Sequence, residues 1–278
     1  IIAVITVIAT ASTVSGVSRG IKYLSVINVV LMVVLLSFVF VMGPTLYQIK
    51  VLLTTTGDYL QQFISTSLWM DLRSDSDWQM NWTLFYWGWW ISGAPFVGIF
   101  IARVSKGRTI REFIFWVLLI PMLVNFIWFS VFGGSAMFFQ LADGTLAAEV
   151  MKNVATSLSR FLEYLPVPYI TQWIAVLLAV IFFITSSDSG SFVDDMVTTG
   201  GNPNPPVANR VFWGVSEGAA AAVLLLAGGL KALQSASIAA GLPQSLLVVA
   251  SCVSLGIALR RERKTGTLDP DVDLAAAD

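Results

Sequence analysis

Apolar residues run in long blocks along this chain, and short polar segments punctuate them. Seven blocks reach or approach the roughly 17–25 residues needed to cross a hydrocarbon core: 1–16, 23–45, 82–104, 112–133, 170–193, 209–229 and 237–259. Residues 48–68 follow another pattern. Leu53, Leu60, Phe63, Ile64 and Leu68 fall close to helical spacing, while Asp58, Gln61 and Gln62 take other faces. That predicts an amphipathic helix lying at a membrane interface or docked on a partner. Residues 145–164 repeat the pattern more weakly as far as LPVPY, whose two prolines end any helix there. GGNPNPPVANR at 200–210 reads as a turn-rich connector, and the tail TGTLDPDVDLAAAD is polar, acidic and expected to be disordered. The chain opens inside an apolar run, without Met or a charged leader region. This is unlike a secretory signal and predicts missing upstream sequence.

Charge turns this pattern into an orientation. Arg19, Lys22, Arg103, Lys106, Arg108, Arg111, Arg210, Arg260, Arg261, Arg263 and Lys264 fall on one side if all seven spans are real. Lys50, Arg73, Lys152, Arg160 and Lys231 fall on the other. The richer side is predicted to be cytoplasmic, which puts the C-terminus inside the cell. Composition agrees with a bilayer as solvent: 56% of residues are hydrophobic, 12% are charged, and mean hydropathy is +0.78. The net charge of −1 leaves no basic domain for nucleic acid. Without a histidine, a Ser-His-Asp triad cannot be built from DSGS at 188–191. Cys252, the single cysteine, reads as a small core residue and cannot form an intrachain disulfide.

Three stretches carry candidate chemistry. WTLFYWGWWISGAP at 82–95 packs six aromatic rings into nine positions ahead of Gly93 and Pro95. Such rings suit an interfacial belt, and Trp82 reads as one. They also suit a cage for a quaternary ammonium, which has no N–H to donate and is held by ring faces. FFITSSDSGS at 182–191 places hydroxyls and a carboxylate at membrane depth. Either they cap a helix end, or they bind a monovalent cation together with carbonyls freed by a break at Gly190. Glu217 lies inside an apolar span and is expected to pair structurally, with Arg210 as the available partner. ARVSKGRTIREF at 102–113 reads as a basic hairpin, a plain positive-inside loop or a dock for an acidic tail or anionic headgroups.

The run WTLFYWGWWISGAPFVGIFIARVSKGRTIREFI at 82–114 resembles the betaine/carnitine/choline transporter family. Further support comes from STVSGVSRGIKYLS at 12–25, FVFVMGPT at 38–45, WFSVFGG at 128–134, FFITSSDSGS, and RVFWGVSEGAAAAVLLLAGGLKALQ at 210–234. The resemblance covers nearly all of the chain except the tail. It implies an all-α polytopic membrane protein with the LeuT-like inverted-repeat transporter fold, present as spans six to twelve of twelve. Residues 1–47 would be the last two helices of the first repeat, with the first of them truncated. Residues 48–70 would be the linking amphipathic helix, 82–259 the second five-helix repeat, and 260–278 the cytoplasmic tail.

The same resemblance implies roles for particular residues. Trp89 and Trp90 would be cage tryptophans, Phe85 and Trp87 the aromatic lining and outer gate, and Phe100 the inner gate. Phe182, Thr185 and Ser186 would give part of a sodium site through one carbonyl and two hydroxyls, and Phe96 would belong to another. Gly93 stands where relatives commonly carry a further aromatic, which implies a roomier or differently shaped solute site. The expected activity is uptake of a betaine-, choline- or carnitine-type solute across the bacterial cytoplasmic membrane by alternating access. It would be coupled to sodium, or to protons, and would need no other cofactor. The expected assembly is a homotrimer through the 48–68 helix, completed by the absent N-terminal spans, without which the fragment is expected to be inactive. Readings left open are a sodium-independent exchanger of the same fold, a channel and an intramembrane enzyme.

Overall fold

The computed structural model describes residues 2–15, 20–72, 75–202 and 205–265. Arg19, Arg73 and most of the acidic tail lie outside the described residues. The described residues are helical with no strand. In chain order the helices are α1 (Ile2–Ser15), α2 (Gly20–Met42), α3 (Thr45–Ser67), α4 (Phe85–Val104), α5 (Ile110–Trp128), α6 (Gly134–Asp143), α7 (Leu146–Lys152), α8 (Ser157–Leu162), α9 (Pro168–Thr198), α10 (Val207–Ala239) and α11 (Gly241–Thr265).

Five stretches are long and apolar enough to cross a membrane: Lys22–Met42, Met80–Val104, Ile110–Asp143, Pro168–Thr198 and Val207–Glu262. The last contains both α10 and α11. The first predicted span appears as a shorter apolar helix, Ile2–Val14. Helix α5 outruns its predicted end because a π-helical turn at Phe129–Gly133 carries it into α6. A second π turn, Met80–Leu84, leads into α4.

Local chemistry sets several boundaries. Thr109 caps α5: its hydroxyl accepts from the Glu112 N–H, and the Glu112 carboxylate accepts from the Thr109 N–H. This reciprocal box is worth about 1 kcal/mol. Pro168 opens α9, where its missing N–H costs nothing, so one proline of LPVPY starts a helix instead of ending one. Helix α10 breaks at the predicted end of its span, residue 229. Gly228 and Gly229 leave helical geometry, Gly229 at φ 64°, and the helix then resumes to Ala239. Only glycine adopts that φ without strain, and Lys231 therefore sits on helix instead of in a loop. Helix α9 runs unbroken through Gly190, so the break expected there is absent.

The chain divides into two compact units. One comprises Ile1–Met70 with Arg103–Ala222, the other Asp71–Ala102 with Val223–Asp278. In the first, Leu35 and Val39 of α2 pack with Val131 and Phe132 of the π turn, Phe161 and Leu162 of α8, Leu165, and Ala175 of α9. Gln48 ties the start of α3 into that core. Its Nε2 donates to Val39 O at 3.0 Å and to Ser135 Oγ at 2.7 Å, and Ser135 in turn donates to Val131 O at 2.6 Å. The remainder of the predicted amphipathic face, Leu53, Leu60, Phe63, Ile64 and Leu68, is exposed. Between α7 and α9, Arg160 donates to Glu163 at 3.1 Å and lies 3.9 Å from Glu149, which together hold its guanidinium more firmly charged.

In the second unit, α4 approaches the end of α10 and the start of α11. A methyl group added at Gly88 would lie 2.7 Å from Ile238, and one at Gly241 would lie 2.9 Å from the Gly88 carbonyl. Cys252 of α11 is an exposed free thiol, contrary to the core reading. The described residues of α11 leave almost every side chain uncovered, so its apolar run is not a protein core here.

Candidate functional site

The candidate residues fall into two groups, one in each unit. Helix α4 carries the aromatic group. Helix formation continues through Gly93 and Pro95, so the rings are arrayed on a continuous rod. Pro95 removes one N–H and releases the carbonyl it would have engaged.

Three rings form a ladder at four-residue spacing. Trp78 stacks on Trp82 at 6.4 Å between centroids, and Trp82 stacks on Tyr86 at 5.9 Å. Phe85 contacts Trp89 at 5.5 Å in a tilted arrangement and Tyr86 edge-on at 5.2 Å. The ladder thus includes Trp82. It does not extend to Trp90, the next position at that spacing. Trp90 is 75% exposed and Trp87 is 65% exposed, and among the described residues neither stacks on another ring. Gly93, one turn beyond Trp89 and Trp90, has open space where a side chain would stand. Phe96 and Phe100 are half-buried on the same helix. Phe100 lies about 15 Å along the axis from Trp90, a separation suited to opposite ends of a small-solute site.

The second group is polar and surrounds α9. Its covered face carries Ile181, Ile184, Asp188, Ser191, Phe192 and Asp195. Two hydroxyls of α1 converge on Asp188: Ser12 donates to Oδ2, and Thr13 donates to Oδ1 at 2.8 Å. Asp188 is fully buried and fully engaged, which suits a structural tie better than a catalytic base. Helix α10 closes on α1 through Gly214 and Gly218. A side chain at Gly214 would meet Thr10 at 2.7 Å, and one at Gly218 would collide with Thr6. Gly214-Val-Ser-Glu-Gly218 has the small-residue spacing that lets membrane helices approach closely, a signal legible in the sequence that the span-by-span reading passed over.

Glu217 departs from expectation. It faces α9 instead of pairing with Arg210: Ser187 donates to its Oε2 at 3.4 Å, and its carboxylate lies against Gly190. Arg210 donates to the Thr13 carbonyl at 3.5 Å, and its charge bears on Asp195. The physical reason is distance along the helix. Seven residues bring Arg210 and Glu217 onto the same stripe of α10, but two turns apart along the axis.

The proposed sodium residues lie on a different face of α9. Thr185 is half-buried and donates to the Phe182 carbonyl at 3.0 Å, Ser189 donates to the Thr185 carbonyl at 2.8 Å, and Ser186 and the Phe182 ring are exposed. Carbonyl and hydroxyl oxygens are therefore adjacent, as a hard monovalent cation requires. They are engaged with their own helix, and an arriving ion would have to compete with the Thr185–Phe182 bond. Phe96 belongs to the other unit.

Comparison with known proteins identifies the family. The sequence profile of the betaine/carnitine/choline family of transporters matches residues 1–264. The chain belongs to the betaine/carnitine/choline transporter family. Among its family relatives is an uncharacterized transporter of Mycobacterium tuberculosis, 49% identical over 257 residues, covering 91% of this chain and 43% of that protein. The glycine betaine transporter OpuD of Bacillus subtilis is 42% identical over 266 residues, covering 95% and 52%. A glycine betaine/proline/choline/ectoine transporter of Vibrio parahaemolyticus is 44% identical over 268 residues, covering 94% and 47%. The chain spans about half the length of the curated relatives it matches. The family is one of transporters, which leaves the intramembrane-enzyme alternative without support.

Proposed function

We propose that this chain forms part of a secondary active transporter that carries a trimethylammonium or related onium solute across the bacterial cytoplasmic membrane. The observation that carries the proposal is the uncovered Trp87, Trp89 and Trp90 on α4, beside the open space at Gly93. Each ring face offers about 0.5–2 kcal/mol to a cation that cannot donate a hydrogen bond. Phe85 lines the approach with Trp87, and Phe100 closes the inner end. In support, relatives with names that specify betaine transport share 42–44% of residues over 94–95% of this chain.

Transport runs by alternating access, with the solute held near the bilayer midplane. Sodium couples to it through the Phe182 carbonyl and the Thr185 and Ser186 hydroxyls, with Phe96 serving a further sodium site. The coupling is reciprocal: sodium raises affinity for the solute, and the solute raises affinity for sodium. The rest of the cage comes from spans preceding these residues in the intact transporter, without which this segment is inactive. Its C-terminus faces the cytoplasm, as the Lys/Arg distribution indicates. The exposed Leu53–Leu60–Ile64–Leu68 ridge of α3 supports a homotrimer.

The test is uptake of labelled glycine betaine into proteoliposomes holding the native-length protein, with and without a sodium gradient. Gradient-driven accumulation is expected. Accumulation equal with and without sodium would move the protein to sodium-independent exchange. No uptake of any onium solute would remove the assignment.

A further inference from the structure

Helix α9 changes character within one turn. Thr185 donates only within its own helix, to the Phe182 carbonyl at 3.0 Å, and Ser186 is exposed. The turn that follows is gripped from two sides. On the α10 side, Ser187 donates to Glu217 Oε2 at 3.4 Å, and the Glu217 oxygens lie 3.5 and 3.6 Å from the position a Cβ would take at Gly190. On the α1 side, the fully buried Asp188 accepts from Ser12 on one oxygen and from Thr13, at 2.8 Å, on the other.

Helix α1 is itself fixed in place. Thr6 and Thr10 lie against Gly218 and Gly214 of α10, and the Thr13 carbonyl accepts from Arg210 at 3.5 Å. Thr6, Thr10 and Thr13 follow the spacing of a single helix face, so α1 is a rail seated on α10. Asp188 registers α9 against that rail. A carboxylate accepts on both oxygens and donates on neither, so two hydroxyl donors from adjacent residues fix its position and its plane. Bonds to a charged acceptor are the stronger kind, and a carboxylate at membrane depth gives them up only at high cost. Helix α9 therefore cannot slide or turn against α1 without breaking one of them.

Asp188 is two residues from Ser186 and three from Thr185, about 3–4.5 Å along the axis. Through one continuous helix, the register of the grip is the register of the Phe182 carbonyl and the two hydroxyls. A binding constellation works only when held to about 0.5 Å. We propose, resting on the sodium reading above, that Asp188 is a positioning residue for the cation site. It does not touch the ion. Through Ser12 and Thr13 it sets the height and rotation at which α9 presents the Phe182 carbonyl and the Thr185 and Ser186 hydroxyls. Two hydroxyls of α1 that touch neither ion nor solute thereby govern sodium affinity.

The test is sodium-driven uptake of labelled glycine betaine into proteoliposomes holding the native-length protein, with sodium titrated at saturating solute. Thr13→Val keeps the side-chain shape and removes one donor. It is expected to raise the sodium concentration for half-maximal uptake several-fold, leaving the maximal rate and the solute KM at saturating sodium unchanged. Thr13→Ser keeps the hydroxyl and is expected to show the native sodium dependence. An unmoved sodium dependence in Thr13→Val overturns the positioning role, even if the maximal rate falls, because the contact is then structural alone. An equal shift in both variants also overturns it, since the lost methyl contact would be responsible. Should Thr13→Val fail to fold, Ser12→Ala removes the other donor and is read in the same way, and failure of both to fold makes the tie structural and overturns the role. Uptake by the unmutated protein that ignores sodium is a separate failure: it removes the sodium site itself, and this role with it.

Discussion

The aromatic face of α4 and the polar seam of α9 treat their functional groups in opposite ways. On α4, Trp90 and Trp87 stand uncovered and Gly93 opens onto empty space. On α9, Asp188, Ser191 and Asp195 are shut away, and two glycines of α10 bring the neighbouring backbone close. The difference follows from what each group needs. A ring face binds a cation without giving up any hydrogen bond, so it can wait uncovered beside lipid or solute. A carboxylate at membrane depth must be engaged before any function begins, so hydroxyls, helix contacts and charge partners are built around it.

The largest expected effect that would break this comparison lies in the seam. Gly218→Val forces a side chain into Thr6 and should destabilise the folded protein by about 1–3 kcal/mol or more, read as loss of monodisperse protein and a lower Tm in detergent. Wild-type stability would mean that α1 and α10 do not meet this closely. On the aromatic side, Trp90→Ala should leave stability unchanged and lower uptake of a trimethylammonium solute at sub-saturating concentration about tenfold, the value of one strong cation–π contact. Trp82→Ala, which removes a ladder ring, should change uptake far less. Equal losses would erase the distinction between belt and cage.

Thr185→Ala with Ser186→Ala should raise the sodium concentration for half-maximal uptake several-fold, with the maximal rate less affected. An unchanged sodium dependence removes these hydroxyls from the coupling site. The smallest effect belongs to Gly93→Ala. Nothing lies within 4 Å of the added methyl, and the helix should gain about 0.5–1 kcal/mol. Uptake should shift toward smaller solutes, measured as the ratio of competing substrates. An unchanged ratio would show that Gly93 does not face the solute.

Much of the architecture was legible in the chain because a bilayer imposes strong constraints on sequence. The blocks at 82–104 and 170–193 reappear as α4 and α9 within a few residues. What escaped was set by neighbours. Gly190 looked like a break, yet α9 runs through it, and the Glu217 carboxylate of α10 packs over that position. The break at Gly228–Gly229, by contrast, falls where the 209–229 block ends, marked by a glycine pair just ahead of Lys231. The π turn at Phe129–Gly133 has no composition of its own. It is held by the core around Val131 and Phe132.

The candidate site divides in the same way. Aromatic density identified α4, but which rings stack and which stand free depends on χ angles and on the π turn before the helix. The pairing of Glu217 with α9 could not be read from charge alone, since Arg210 was the nearer opposite charge in sequence. Asp195, buried and without a hydrogen-bond partner, gave no signal beyond its place in a DD pair.

Gly88 gives α4 a fixed rotational phase. Its contact with Ile238 and Gly241 anchors one edge of the helix, and each further residue turns the chain by about 100°. Trp90, two residues on, therefore points nearly away from the anchored edge, and Trp89 points to the side. A one-residue insertion between Gly88 and Trp89 would keep every ring and keep the helix, yet swing the rings through more than a quarter turn. In this segment the spacing of residues from Gly88 is itself a binding determinant, and conservative-looking length changes should be less tolerated than many substitutions.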